Sequence, residues 1–106
     1  EWLDSGGRAD ATCERGGVNG VTLLMGAARK GHERVAALLL QRGAEVSLQR
    51  SDGGTALMNA AFFNRTAVVR RLLRAGADAA ARTNKGKTAL QVAKEKGHAE
   101  CVRAFE

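Results

Sequence analysis

Apolar residues in the middle of the chain recur with the 3.6-residue period of an α-helix, in two short runs separated by polar residues. The two runs comprise Leu57, Ala60 and Ala61, followed by Val68, Val69, Leu72 and Leu73. This pattern predicts two antiparallel helices. The small alanine pair allows adjacent layers to approach closely, and the larger leucine pair fills the space between them.

The same pattern occurs three times along the chain. Thr22, Thr55 and Thr88 open the segments TLLMGAARKGHERVAALLL, TALMNAAFFNRTAVVRRLL and TALQVAKEKGHAECVRAF, and each threonine follows the previous one by 33 residues. A period of this length is typical of a stacked repeat array, in which each repeat buries its apolar face against its neighbours. We therefore expect residues 1–106 to form one domain whose role is to hold a partner.

Residues that start and stop helices occupy matching places in the repeats. The threonine that opens each segment can accept hydrogen bonds from the amides of the first helical turn. Gly31 and Gly97 stand where the first helix should end in a left-handed residue, and Asn64 takes that place in the second repeat. Gly43 and Gly76 end the second helix in the same way, and polar connectors that should form protruding turns follow them.

These residues resemble the ankyrin repeat over residues 19–106: the sequence elements T-x-L, A-A, G-H, the V-V and L-L rows and G-A-D recur in phase. The resemblance implies an all-α solenoid of L-shaped units, with helix pairs stacked in layers and β-turn fingers at right angles to them. It also implies protein binding without catalysis and without a cofactor. The repeats would span residues 19–50, 51–82 and a truncated 83–106, with residues 1–18 as the tail of a preceding repeat.

The chain departs from the family pattern at two places. The T-P-L-H opening appears as TLLM, TALM and TALQ, so the proline that would pre-set the first helical position is absent and the opening turn should be looser. The first connector, ATCERGGVNGV, is two residues longer than its counterpart and should form an unusual finger.

Both ends of the array look unfinished in sequence. Trp2 and Phe105 are apolar where an exposed end layer normally carries polar capping residues. Either further repeats lie outside this segment or another chain covers the ends, and we favour the first.

Charge and cysteine content narrow the range of partners. Seventeen Lys and Arg against eleven Asp and Glu give a net charge of +6, which favours an acidic protein partner. The basic residues are dispersed without an aromatic stacking platform, so we do not expect a nucleic-acid partner.

Cys13 and Cys101 have no second Cys or His at ligand spacing, which favours free thiols in a reducing intracellular compartment and no metal site. No apolar stretch approaches ~20 residues, so we expect no direct membrane insertion.

The resemblance implies that the partner binds in the concave groove formed by the connector tips and the exposed ends of the first helices. In this chain those positions carry Val21, Arg29, Lys30, Ser51, Asp52, Phe62, Phe63, Asn84, Lys85, Lys87, Glu95 and Lys96.

Phe62 and Phe63 are the most informative of these residues. Successive helical residues are separated by about 100°, so both rings cannot face the core and at least one should be exposed. One interpretation makes the pair a hydrophobic anchor between Arg29/Lys30 and Lys85/Lys96. The other buries one ring beneath the neighbouring repeat and leaves the second half-exposed.

His32 and His98 do not indicate catalysis. They occupy the same place two repeats apart, about 20 Å from each other when helix layers are spaced by ~8 to 10 Å, and a structural hydrogen bond in the loop is the expected role. The glycines in GGVNG and DGG do not form a phosphate loop, since neither follows a strand that opens a helix. We expect no enzyme activity and no small-molecule substrate.

Two functional hypotheses remain from the sequence. The first is a recognition module that binds a protein reversibly through the basic and aromatic groove. The second is a structural subunit or scaffold fragment embedded permanently in a larger assembly through its ends and convex face.

Overall fold

The computed structural model describes residues 12–15 and 18–106, with side-chain surroundings from residue 20 onward. A two-stranded antiparallel hairpin of β1 (Thr12–Arg15) and β2 (Val18–Thr22) precedes the helices. The helices are α1 (Leu23–Lys30), α2 (Glu33–Gln41), α3 (Ala56–Phe62), α4 (Thr66–Arg74), α5 (Ala89–Lys96) and α6 (Ala99–Ala104).

The six helices form three pairs that stack in two layers. In the first layer α3 contacts both α1 and α5, and in the second layer α4 contacts α2 and α6. Each pair is held by contacts between its own two helices. This arrangement confirms the predicted all-α repeat fold, with α3 and α4 as the central pair.

The core follows the predicted apolar positions. Ala60, Ala61, Val69 and Leu72 are completely or almost completely buried, whereas Leu73 is only partly buried against the core. Alanines in the first layer let α1, α3 and α5 lie close together, and the larger side chains of the second layer fill the remaining space. None of the described helices is long and apolar enough to cross a bilayer.

The predicted helix starts and stops are confirmed. Each opening threonine accepts a hydrogen bond from the amide three residues later, at 3.2 Å in α1 and α3 and 3.3 Å in α5. Gly31 and Gly97 have φ of 74° and 72°, and Asn64 is left-handed at 61°. The asparagine therefore takes over the backbone role of glycine in the central repeat. The looser opening turn stays a prediction.

In the second and third repeats, the residue after the left-handed position ties its repeat to the one before it. Arg65 Nε donates to the carbonyl of Arg29 at 3.0 Å, and His98 Nε2 lies 3.0 Å from the carbonyl of Phe62. Arg65 and His98 are separated by one repeat, as are their two carbonyl partners. The loop hydrogen bond predicted for His98 is confirmed, and Arg65 makes the equivalent bond in the central repeat.

Glycines recur with the repeat in the fingers, and at Gly53 the second finger packs against the third. Gly20, Gly53 and Gly86 all have positive φ, at 82°, 86° and 78°. A Cβ on Gly53 would lie 2.8 Å from Thr83 Cα, so the second and third fingers touch backbone to backbone at this point. The amide of Asn84 reinforces the contact by donating to the Asp52 carbonyl at 2.9 Å.

The first finger is the hairpin of β1 and β2, so the longer connector does form a finger of a different kind. Its register is irregular between Cys13 and Arg15. Of the apolar residues near the chain ends, Trp2 lies outside the described residues, whereas Phe105 is partly buried against the core.

Candidate protein-binding groove

A concave groove of ≈ 400 Å³ lies between the fingers and the first-layer helices. All three described repeats and the hairpin contribute to it. It is lined by Val21, Met25, Gly26, Arg29, Arg50, Asp52, Met58, Asn59, Phe62, Phe63, Thr83 and Val92. The groove thus has an apolar part from methionine, valine and phenylalanine side chains and a polar part at the base of the second finger.

Phe62 and Phe63 are both accessible at the end of α3. Phe62 is 42% exposed and Phe63 is 37% exposed, and their rings meet edge to face with centroids 4.8 Å apart. The prediction that at least one ring is exposed is confirmed, and the interpretation that buries one ring beneath the neighbouring repeat is wrong. The pair lies at the end of α3, where Phe62 is the last helical residue, Phe63 is the C-cap and Asn64 follows with a left-handed backbone.

Each ring carries a cation from a neighbouring repeat. The Arg29 guanidinium carbon lies 5.3 Å from the Phe63 centroid, and Lys96 Nζ lies 4.3 Å from the Phe62 centroid. The negative face of an aromatic ring attracts such cations by about 0.5–1 kcal/mol at exposed sites. The groove therefore presents apolar ring edges between two positive charges.

A hydrogen-bonded network forms the polar base of the groove. Arg50 donates from Nε to Asp52 Oδ1 at 2.7 Å and from one terminal nitrogen to Asn59 Oδ1 at 2.9 Å. The Asn59 side-chain amide in turn donates to the Met25 carbonyl at 3.0 Å. Gly54 allows the guanidinium to approach, because a Cβ there would lie 2.5 Å from Arg50 Nε. Asn59 is 8% exposed, and this network satisfies its buried polar atoms.

Arg50 and Asn59 were not among the sequence-predicted site residues. A polar residue inside the apolar run LMNAAF of α3 was the available indication for Asn59. The sequence contains no such indication for Arg50, because its partners Asp52 and Asn59 lie in the same finger and in the helix that follows.

The environment of Asp52 predicts a small loss of stability in acid. Burial raises the Asp52 pKa, but the hydrogen bonds from Arg50 and the Gly54 amide and the positive charge of Arg50 outweigh this effect, so the pKa lies below 3.8. A depressed pKa contributes stability above the unfolded value and loses it as pH falls through the folded value. Because the side chain is 44% exposed, solvent screening should keep the contribution below about 1 kcal/mol.

Asp52→Asn should therefore be less stable than the unmodified chain near pH 6, and this difference should shrink as pH falls below about 4 toward the folded pKa of Asp52. Urea titrations of both proteins at a series of pH values measure this difference. A difference that is constant across the range would contradict the proposed role of the carboxylate charge.

The remaining predicted residues lie around the groove in different situations. Val21 lines the groove and is 9% exposed, and its role in partner binding stays a prediction. Lys87 is paired with Glu95 at 2.8 Å. The Asn84 side chain donates to the Ser51 carbonyl at 3.3 Å and helps to join the fingers.

Lys30, Lys85 and Lys96 are exposed and are not among the residues that line the groove, although Lys96 contacts the ring of Phe62, which does line it. Within residues 20–106, His32 and His98 belong to no group of three or more His, Cys, Asp and Glu side chains that could hold a metal ion. Cys101 is a buried free thiol within hydrogen-bond distance of Thr66, at 3.4 Å.

Comparison with known proteins agrees with this architecture. No curated protein sequence matches the chain significantly. A family model described as ankyrin repeats, three copies, matches twice, over residues 2–83 and 24–105. Together with the six stacked helices, this match over nearly the whole chain shows that the protein belongs to the ankyrin repeat family.

Proposed function

We propose that this chain is a non-catalytic interaction module that binds a protein partner through the groove, with Phe62 and Phe63 as the anchor. Ankyrin repeats generally mediate protein–protein interaction and are typically non-catalytic. The exposed aromatic pair is the observation that carries the proposal. Aromatic residues in the centre of an interface commonly account for most of its binding energy.

The charges around the groove support an acidic partner. Asp52 is engaged by Arg50, and Glu95 by Lys87, so the acidic groups of the groove are already neutralised. Among the described residues, no ion pair is found for Arg29, Lys30, Lys85 or Lys96. Positive charge is therefore in excess around the aromatic pair, and binding should weaken as salt is added.

The outer face of the array offers less to a partner. Arg71 on α4 is paired with Glu33 at 2.9 Å, and Glu100 lies 3.9 Å from Arg70 and 3.3 Å from Arg103. Such pairing between repeats reduces the charge available on the second-layer helices. The scaffold hypothesis, which uses this face and the ends, is accordingly the second choice.

The double variant Phe62→Ala/Phe63→Ala should lose the specific partner in affinity capture from the native cell, read by mass spectrometry. Removing two anchor side chains typically costs at least 2 kcal/mol of binding energy, or about 30-fold or more in affinity. Val35→Ala is the matched control, because Val35 is 47% exposed on α2 in the second layer. It should retain the partner.

Thermal melting of both variants checks that the fold is intact. If the double variant retains the same set of proteins as the unmodified chain, the groove proposal is wrong. The chain would then be a component of an assembly held through its ends or convex face.

A further inference from the structure

We propose that the groove recognises an extended peptide in which one apolar side chain is flanked by carboxylates two residues before it and two residues after it. This inference rests on the proposed function of the groove and specifies the ligand. It follows from the order and spacing of four side chains: Arg29, Phe63, Phe62 and Lys96.

The four side chains form a continuous row across three repeats. Arg29 belongs to α1, the aromatic pair to the end of α3, and Lys96 to α5, and α3 contacts both of the other helices. Successive separations along the row are 5.3 Å, 4.8 Å and 4.3 Å. Two cations thus stand on opposite sides of one apolar feature.

This spacing matches an extended chain. The two positive charges are at most about 14 Å apart, and an extended chain spans ~13 Å over four residues. Residues i, i+2 and i+4 of a strand point to the same side, so carboxylates at i and i+4 can meet Arg29 and Lys96 while the apolar residue i+2 contacts the rings.

The row disfavours two other classes of ligand. A lysine or quaternary ammonium group would bind an aromatic face, but Arg29 and Lys96 already place positive charge over the rings. Single-stranded nucleic acid would also need an aromatic face for base stacking. The ring edges remain accessible, and they suit contact with an aliphatic or aromatic side chain that lies between two anions.

The polar base of the groove supports this ligand. The Asp52 carboxylate, the acidic group among the lining residues, accepts hydrogen bonds from Arg50 at 2.7 Å and from the Gly54 amide at 2.9 Å. These bonds neutralise its charge and hold it in place. It therefore repels an incoming carboxylate much less than a free aspartate would.

The test is fluorescence anisotropy with labelled peptides on the full chain at low salt. One peptide carries the core Glu-Ser-Leu-Ser-Glu between Gly-Ser flanks. A second peptide has the same composition, but its two Glu residues are adjacent to each other. In a third peptide the Glu residues stand four residues before and four residues after Leu, the spacing that would place all three side chains on one face of a helix. We expect the first peptide to bind at least tenfold more tightly than the other two.

Charge exchange tests the two cations directly. Arg29→Glu/Lys96→Glu should abolish binding of the first peptide and gain binding of its Lys-Ser-Leu-Ser-Lys counterpart. Arg34→Glu/Lys94→Glu changes the net charge equally at exposed positions and should behave as the unmodified chain does, because Arg29 and Lys96 are the cations that contact the two rings. Circular dichroism melts confirm that both double variants fold.

The outcomes separate this inference from the function on which it rests. Equal binding of all three peptides, or displacement of the first by an unlabelled oligothymidine, would overturn the inferred spacing or ligand class. A third outcome is that no peptide binds although affinity capture of a protein depends on Phe62 and Phe63. This outcome would overturn the inferred peptide ligand and leave the proposed function of the groove standing. If capture does not depend on that pair, both proposals fail.

Discussion

Leu72→Ala is expected to lower the free energy of unfolding by about 2–5 kcal/mol, the range for leucine truncation in a packed core. Leu72 is 0% exposed in α4, which contacts α2, α3 and α6. A cavity at this position removes packing from the central pair and from both neighbours. In a repeat array the loss of nearest-neighbour contacts reduces the stability of the whole stack.

Leu73→Ala is the matched control, because the adjacent leucine has the same chemistry and is only partly buried. Urea unfolding followed by far-UV circular dichroism measures both variants. The Leu72 variant should lose clearly more stability than the Leu73 variant. Equal losses would show that burial in α4 does not determine the cost.

Gly53→Ala should be the second strongly destabilising change, and its mechanism is different. Gly53 has φ of 86°, where an alanine costs about 1–2 kcal/mol. The new methyl would in addition lie 2.8 Å from Thr83 Cα and 2.9 Å from the Arg82 carbonyl oxygen. These atoms belong to backbone that cannot rotate away, so the fingers must separate, and a total loss of ~2–4 kcal/mol is expected.

Gly86→Ala isolates the contribution of the contact between fingers. Gly86 occupies the same place in the third finger, with φ of 78°, and a Cβ there meets nothing within 4 Å. Both variants pay the cost of the left-handed backbone, and only Gly53→Ala incurs the clash. Chemical denaturation should rank Gly53→Ala well below Gly86→Ala in stability, and similar values would exclude close packing between the second and third fingers.

The features that could be predicted from sequence are those encoded within one repeat. Local chemistry that recurs every 33 residues determines where helices start at threonine and which alanines are buried. It also determines the left-handed residues Gly31, Asn64 and Gly97. That at least one of the two phenylalanine rings is exposed was predictable for the same reason, since adjacent helical residues point in different directions. Periodicity therefore determines the scaffold and places the aromatic pair at the end of a first-layer helix.

The features that could not be predicted depend on side chains from different elements. The bond from Arg50 to Asn59 joins a finger to a helix, and the cations on the rings come from the two flanking repeats. The sequence indicated Val21 as a groove residue but not its burial, which arises because the connector here is a β-strand that turns this side chain inward. The spacing of residues in the sequence does not show the direction in which a side chain points or which side chain of another element it meets.

The bond between His98 and the Phe62 carbonyl has a consequence for protein engineering. It holds the end of α3, the segment that carries the aromatic pair, from a residue in the following repeat. A graft of residues 51–82 into another ankyrin scaffold would transfer both phenylalanines and leave this support behind. A graft that keeps the end of α3 supported must therefore extend to the opening of the next helix pair, or the recipient must supply a hydrogen-bond donor at the position of His98.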